Sequence, residues 1–227
     1  MNDAGPEVRL REPTFPVVLA GPSGSGKTTV GRALERLDDV RFSVSATTRP
    51  RRTEEEDGVD YRFFDREVFE DLVEQGELLE WAEVHGHLYG TPRSNLDTAR
   101  RAGRHLLLDI DVQGARSVRE KVPDVVTIFL LPPDGRRIVR RLRGRGTEGA
   151  AEIQRRLEAA RGELAAVAEF DYVIVNDVLE RAVEEVEAIL RAEERRIERM
   201  GARVQEEAAE LAEEIRRAVE AEIGPPP

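Results

Sequence analysis

The 227-residue chain contains no cysteine. That absence excludes disulfides, thiolate metal sites and cysteine nucleophiles together, and it fits a cytoplasmic protein. Only three histidines are present, His85, His87 and His105. Their spacing matches no metal-ligand pattern, so they read as structural. Aromatic residues make up 5% of the chain. No apolar stretch approaches the ~20 residues that a membrane span needs. Residues 1–14 lack the basic start and apolar centre of a signal peptide and read as a disordered arm. Positive charge is also in deficit: the formal net charge is −11 and the pI near 5.0, which argues against a general nucleic-acid binder.

The composition that is present, 40% hydrophobic and 36% charged residues, suits an α/β domain with a real core. Short apolar runs at Val17–Ala20, His105–Ile110, Val125–Leu131 and Tyr172–Val175 alternate with helical patterns. The helical patterns cover Thr28–Leu37, Asp65–Glu74, Ser94–Ala102, Arg116–Lys121, Gly135–Leu142, Ala150–Ala168 and Leu179–Arg196. That alternation predicts a P-loop NTPase-type parallel sheet flanked by helices. Two stretches break the rhythm. Residues 45–93 carry most of the aromatics, including Tyr61, Phe63, Phe64, Trp81 and Tyr89, in short alternating pieces that predict a small mixed sheet. Residues 134–161 carry nine arginines against four acids, either an ordinary solvated helical face or a surface built for anions. Gly144, Gly146 and Gly149 allow hinge motion there. From Ile197 the stripe positions are Ile197, Met200, Val204, Ala208, Leu211, Ile215, then Ala218 or Val219, and 222 or 223. Gaps of three and four describe a helix with one apolar stripe. That stripe is either a seam for self-association or a face that packs back on the same chain.

The densest chemical signal is Gly21-Pro-Ser-Gly-Ser-Gly-Lys-Thr28, the phosphate-loop pattern between an apolar run and a helix. Its glycines and the free N–H groups of the helix start can wrap a phosphate chain. Lys27 can reach the outer phosphates, and the Thr28 hydroxyl can ligate Mg²⁺. Arg49, Arg51 and Arg52 follow in a hydroxyl-rich loop, which is either a plain basic loop or a second oxyanion grip. Glu80 is either a surface residue of a strand or a buried carboxylate. A buried carboxylate could accept both the N1–H and the amino group of guanine and would reject adenine. Asp109 ends an apolar run beside the loop, a metal-site position, while Asp111 competes between a site role and a helix cap.

Taken together, these segments resemble the guanylate kinase family. The resemblance rests on Gly21–Thr28, Ser45–Arg52, Asp57–Tyr61, Glu80–Gly86, Tyr89–Thr91, Asp109–Gly114, Arg143–Glu148 and Val173–Asn176. It implies transfer of the ATP γ-phosphoryl group to GMP, giving GDP and ADP. Residues 15–196 would form the kinase domain. Its core would be 15–44, 94–133 and 162–196, with a GMP-binding piece at 45–93, a lid at 134–161 and a helical extension at 197–227. Ser23, Gly24, Ser25, Gly26, Lys27, Thr28 and Thr29 would hold ATP phosphates, with Arg145 and Asn176 near the ATP end. Ser45, Arg49, Arg52, Glu55, Tyr61, Glu80, Tyr89, Thr91 and Asp111 would hold GMP. Lys27, Arg49, Arg141, Arg145 and Arg156 would act on the transferring group. Thr28 and, through water, Asp109 would hold Mg²⁺. Leu88 and Thr53-Glu54 depart from the family pattern without removing a ligand, and the extension after Arg196 looks unusual for the family. The implied partners are ATP and GMP, with neither nucleic acid nor membrane; nothing in the resemblance explains the extension, whose apolar stripe leaves a homo-oligomer through the C-terminal helix as one of its two readings.

Overall fold

The computed structural model describes residues 13–84, 86–143 and 150–224. The chain divides into two compact units, one from Thr14 to Val186 and one holding the residues from Glu187 onward.

The first unit is built on a parallel sheet in the order β2-β7-β1-β8-β9. The strands are β1 (Pro16–Ala20), β2 (Val40–Phe42), β7 (His105–Asp109), β8 (Val126–Leu131) and β9 (Tyr172–Val175). Every residue of β1 is buried, as are Leu106, Leu107, Leu108, Ile128, Phe129 and Leu130. Such near-continuous apolar strands are what a parallel sheet covered on both faces requires. β2 was not expected, because Val40-Arg-Phe42 is too short to display a period. β1 and β7 run parallel with Leu19 opposite Asp109. The turn after β1 and the acid ending β7 therefore lie side by side at the carboxyl edge of the sheet, where open α/β sheets form their ligand crevices.

A second sheet, in the order β4-β3-β6-β5, is mixed as expected. It consists of β3 (Ser45–Thr47), β4 (Tyr61–Phe63), β5 (Leu78–Val84) and β6 (His87–Pro92). Its own small core gathers Ala46, Phe69, Leu78 and Leu88. The hairpin β5/β6 pairs Glu80 with Thr91 and Trp81 with Gly90. Gly90 has no room for a side chain, since a Cβ would lie 2.9 Å from the Glu80 carbonyl oxygen and 3.1 Å from the Phe69 ring.

The helices are α1 (Lys27–Leu34), α2 (Arg66–Glu74), α3 (Arg93–Arg101), α4 (Val112–Lys121), α5 (Gly135–Arg143), α6 (Ala150–Ala165) and α7 (Leu179–Glu194). Three differ from expectation: α1 ends at Leu34 and not Leu37, and the other two depart for local reasons. α4 starts at Val112, not Arg116, because Asp111 caps it by accepting the Gly114 amide at 2.7 Å. α6 stops at Ala165, and a 3-10 turn at Val167–Glu169 completes the connection. His105 is buried under Phe15, ring to ring at 4.2 Å, with Nδ1 accepting the Phe15 amide. His85 lies outside the described residues.

In the second unit, Gly201 (φ 63°) separates α8 (Ile197–Met200) from α9 (Ala202–Ile223). Glu193 accepts from both Arg196 and Arg199, tying the end of α7 to α8. Among the described residues no helix is long and apolar enough to cross a membrane.

Candidate active site

The turn from β1 into α1 is a cradle of backbone. Gly21, Gly24 and Gly26 adopt positive φ values of 137°, 85° and 98°, which side chains rarely tolerate. At two of them space is short as well. A Cβ on Gly21 would sit 2.5 Å from the Leu130 carbonyl oxygen, and one on Gly26 would sit 2.4 Å from Asn176 Nδ2. Gly26 leads directly into α1, so the free N–H groups of its first turn point from the helix start into the cradle.

Side chains from distant elements brace this loop. Buried Asn176 donates to the Ser25 carbonyl at 2.7 Å. Arg141, on α5, donates to the Gly24 carbonyl at 2.8 Å, and Arg156, on α6, donates to Ser23 Oγ at 2.9 Å. The Lys27 ammonium donates to the Gly21 carbonyl at 2.8 Å. Thr28 Oγ1 donates to Asp109 Oδ2 at 2.5 Å. A hydroxyl and a carboxylate from two elements thus converge where the strand register put them, and both are hard oxygen donors. The exposed Thr29 completes the first turn, and Arg145 lies outside the described residues.

The second sheet supplies a different surface. Glu80 is 5% exposed, so its surface-strand reading is overturned. Its Oε1 accepts from Thr91 Oγ1 at 2.6 Å. Burial pushes its carboxyl up to about 7; the Thr91 hydrogen bond opposes the rise and the nearby Asp111 charge adds to it. Asp111 proves to be the cap of α4, yet it also lines the cavity beside Glu80. A basic centre lies in the loop after β3. Arg49 Nη2 donates to Glu55 Oε1 at 2.6 Å, and the Arg52 amide donates to Glu55 Oε2 at 2.9 Å. The pair holds Glu55 below the usual carboxylate range and Arg49 above its own. The Arg49 guanidinium also lies 5.4 Å from the Tyr61 ring centre and 5.8 Å from that of Phe63, so it is locked by charge and by aromatic contact. Tyr61 meets Tyr89 edge-on at 6.1 Å. Burial raises the Tyr61 phenol above its ordinary range, so it remains a donor at neutral pH.

Both surfaces open into one cavity of about 610 Å³. Ser23, Lys27, Asp109 and Arg156 line it from the loop side. Ser45, Arg52, Tyr61, Glu80, Tyr89 and Asp111 line it from the second sheet and its neighbours. Ten of the residues singled out in the sequence therefore line one space. Arg49, Glu55 and Thr91 stand one layer back, bonded to residues of the wall. Glu163 was not foreseen, yet it lines the same cavity, and its Oε2 accepts the Ser23 amide at 3.1 Å. No local signal marks a single glutamate within the Ala-rich run of α6.

The guanylate kinase family model matches residues 14–193. The chain belongs to the guanylate kinase family. Its relatives include the guanylate kinase of Thermotoga maritima, 51% identical over 80% of this chain and 88% of that protein. The guanylate kinase of Anaeromyxobacter dehalogenans is 48% identical over 95% of both chains. A crystal structure of guanylate kinase from Anaplasma phagocytophilum superposes with a TM-score of 0.70 at 34% identity, covering 96% of this chain and 99% of that one. The last two correct one expectation. A match over 95% of the chain must reach well past Arg196, so the C-terminal segment is not foreign to guanylate kinases.

Proposed function

We propose that this guanylate kinase transfers the ATP γ-phosphoryl group to GMP within the cavity that both surfaces line. The observation that carries the reading is that phosphate-loop residues Ser23 and Lys27 line the same space as Glu80, Tyr61, Tyr89 and Arg52. A triphosphate held on one wall would face an acceptor held on the other.

The amides of residues 23–29 receive the phosphates of ATP, and Lys27 leaves the Gly21 carbonyl to meet them. Asn176 keeps the loop in shape from behind. Thr28 and Asp109 suit Mg²⁺, which when bound offsets charge on the phosphate oxygens of ATP. Ionised Glu80, supported by Thr91, accepts the N1–H and amino group of guanine, with Ser45 and Asp111 completing that end. Arg49 and Arg52, set by Glu55, grip the GMP phosphate together with the phenols of Tyr61 and Tyr89. Arg141 and Arg156, with Arg145, neutralise the group in flight. Phosphoryl transfer needs alignment and charge neutralisation more than a protein nucleophile, and the residues present supply those.

In this reading residues 45–93 are the GMP-binding piece, and 134–161 are a lid that excludes water as a competing acceptor. The cytoplasm, with its ATP pool, is its setting. Self-association through the apolar stripe of α9 is a separate part of the proposal. Leu211→Glu with Ile215→Glu in the full chain should then lower the mass seen by light scattering, and an unchanged mass would remove it. The activity itself is tested by a coupled assay with ATP and Mg²⁺ against GMP, AMP and UMP. Turnover of GMP alone supports the proposal, whereas equal turnover of AMP would contradict the role given to Glu80.

A further inference from the structure

Two side chains of α6 reach back to the same residue of the phosphate loop. Arg156 donates to Ser23 Oγ at 2.9 Å, while Glu163 accepts from the Ser23 backbone amide at 3.1 Å. Seven residues apart, they lie two helical turns from one another on one face of α6. The arginine contact suits a site for anions. The glutamate contact does not, since it places a negative charge inside a cradle made for phosphate.

Ser23 is the third residue of the phosphate-loop pattern, whose backbone N–H groups bind phosphate oxygens. The Glu163 carboxylate occupies one of those donors, as a phosphate oxygen would. Three further observations fit a stand-in. Glu163 lines the common cavity alongside Lys27. Burial raises its carboxyl, while the Lys27 ammonium draws it down. Its bond spans 140 residues of sequence, so it joins the loop to α6 and not to its own neighbourhood.

We propose that Glu163 is an internal substitute for phosphate that latches α6 onto the nucleotide-free loop and must be displaced when ATP binds. The inference rests on ATP being bound at this loop. Entry of the triphosphate replaces the Glu163 oxygen on the Ser23 amide with a phosphate oxygen. The freed carboxylate is then a like charge beside the phosphates, so it is driven away from the loop. Arg156, on the same helical face, then meets the bound phosphates as a counter-charge. The latch thus costs ATP affinity and in exchange keeps the empty loop ordered. Glu163 is a positioning residue, acting through the loop and α6.

The test is calorimetric binding of a non-hydrolysable ATP analogue to the full chain and to Glu163→Ala and Glu163→Gln, with KM values for ATP and GMP measured beside it. The alanine variant removes both bond and charge, and should bind the analogue at least fivefold more tightly. The glutamine variant keeps an acceptor for the Ser23 amide without the charge, and should fall between alanine and the parent. KM for ATP should drop in the same order while KM for GMP stays within twofold. Should alanine fail to fold, glutamine decides alone. Unchanged or weaker analogue binding in the variants overturns the latch. No analogue binding to the parent chain would instead overturn the ATP-site reading beneath it.

Discussion

Glu80 makes the proposed guanine recognition pH-dependent in a defined direction. In the empty cavity its carboxyl is pushed up to about 7, mainly by burial. Below that value it is mostly protonated, and a neutral carboxyl presents a hydrogen where guanine N1–H needs an acceptor. GMP binding therefore requires loss of the proton and weakens as the pH falls through 7. By proton linkage, KM for GMP should climb about tenfold per pH unit once the solution is well below 7, close to 1.4 kcal/mol per unit. At pH 6 the ionised fraction is roughly one in eleven, so KM should stand about elevenfold above its limit at high pH. The phosphate of GMP titrates nearby, with a second pKa of about 6, and its contribution must be removed. Glu80→Gln provides the correction, because it experiences the phosphate titration but has no carboxyl of its own. Its KM should be about 10- to 100-fold higher at pH 8, from the lost charge-assisted bond and a mismatched donor. The quantity to plot is the ratio of KM in the variant to KM in the parent, between pH 6 and 8. That ratio should fall steeply as the pH is lowered below 7. A flat ratio would refute the assignment of Glu80 as the titrating guanine acceptor.

Other perturbations probe separate parts of the account. Lys27→Ala should lower kcat by about 10²- to 10³-fold, the scale for removing one preorganised cation or donor, while calorimetric GMP affinity changes little; parallel losses in both would contradict its place on the ATP side. Gly31→Ala should destabilise the domain without touching the site, because the new Cβ would meet the Phe42 ring at 2.4 Å. Overpacking of that kind costs about 1–3 kcal/mol, or roughly 2–12 °C in Tm for a domain of this size; an unchanged melting curve would show that Phe42 yields freely. Arg49→Lys should raise KM for GMP more than it changes KM for ATP, since an ammonium cannot keep both the Glu55 bond and the ring contacts; equal effects on both substrates would argue against a GMP-side role.

The ATP side of the site was largely written in local sequence. A glycine pattern between an apolar run and a helix has few alternative structures, and the parallel register then brings Asp109 to Thr28. The wall formed by the second sheet was harder to read. In Leu78-Leu-Glu-Trp-Ala-Glu-Val84 both possible faces mix apolar and acidic residues, so alternation alone could not say whether Glu80 or Trp81 turns inward. The fold buries Glu80 and leaves Trp81 45% exposed, against simple hydropathy, with an irregular register between Leu78 and Glu80. Asp111 could be a cap or a site residue from its sequence, and it is a cap that also faces the cavity. Glu163 was illegible because its meaning depends on a contact 140 residues away. Three-residue β2 left no period to detect.

The central claim is that one cavity holds donor and acceptor nucleotides at the same time, aligned for direct transfer. A guanosine and an adenosine joined 5′ to 5′ through a polyphosphate can occupy both ends at once. Inhibition kinetics with this compound, alongside its calorimetric stoichiometry, measure the claim directly. The account predicts one molecule bound per chain and competition against both ATP and GMP. Competition against only one of them, or two molecules bound per chain, would contradict it.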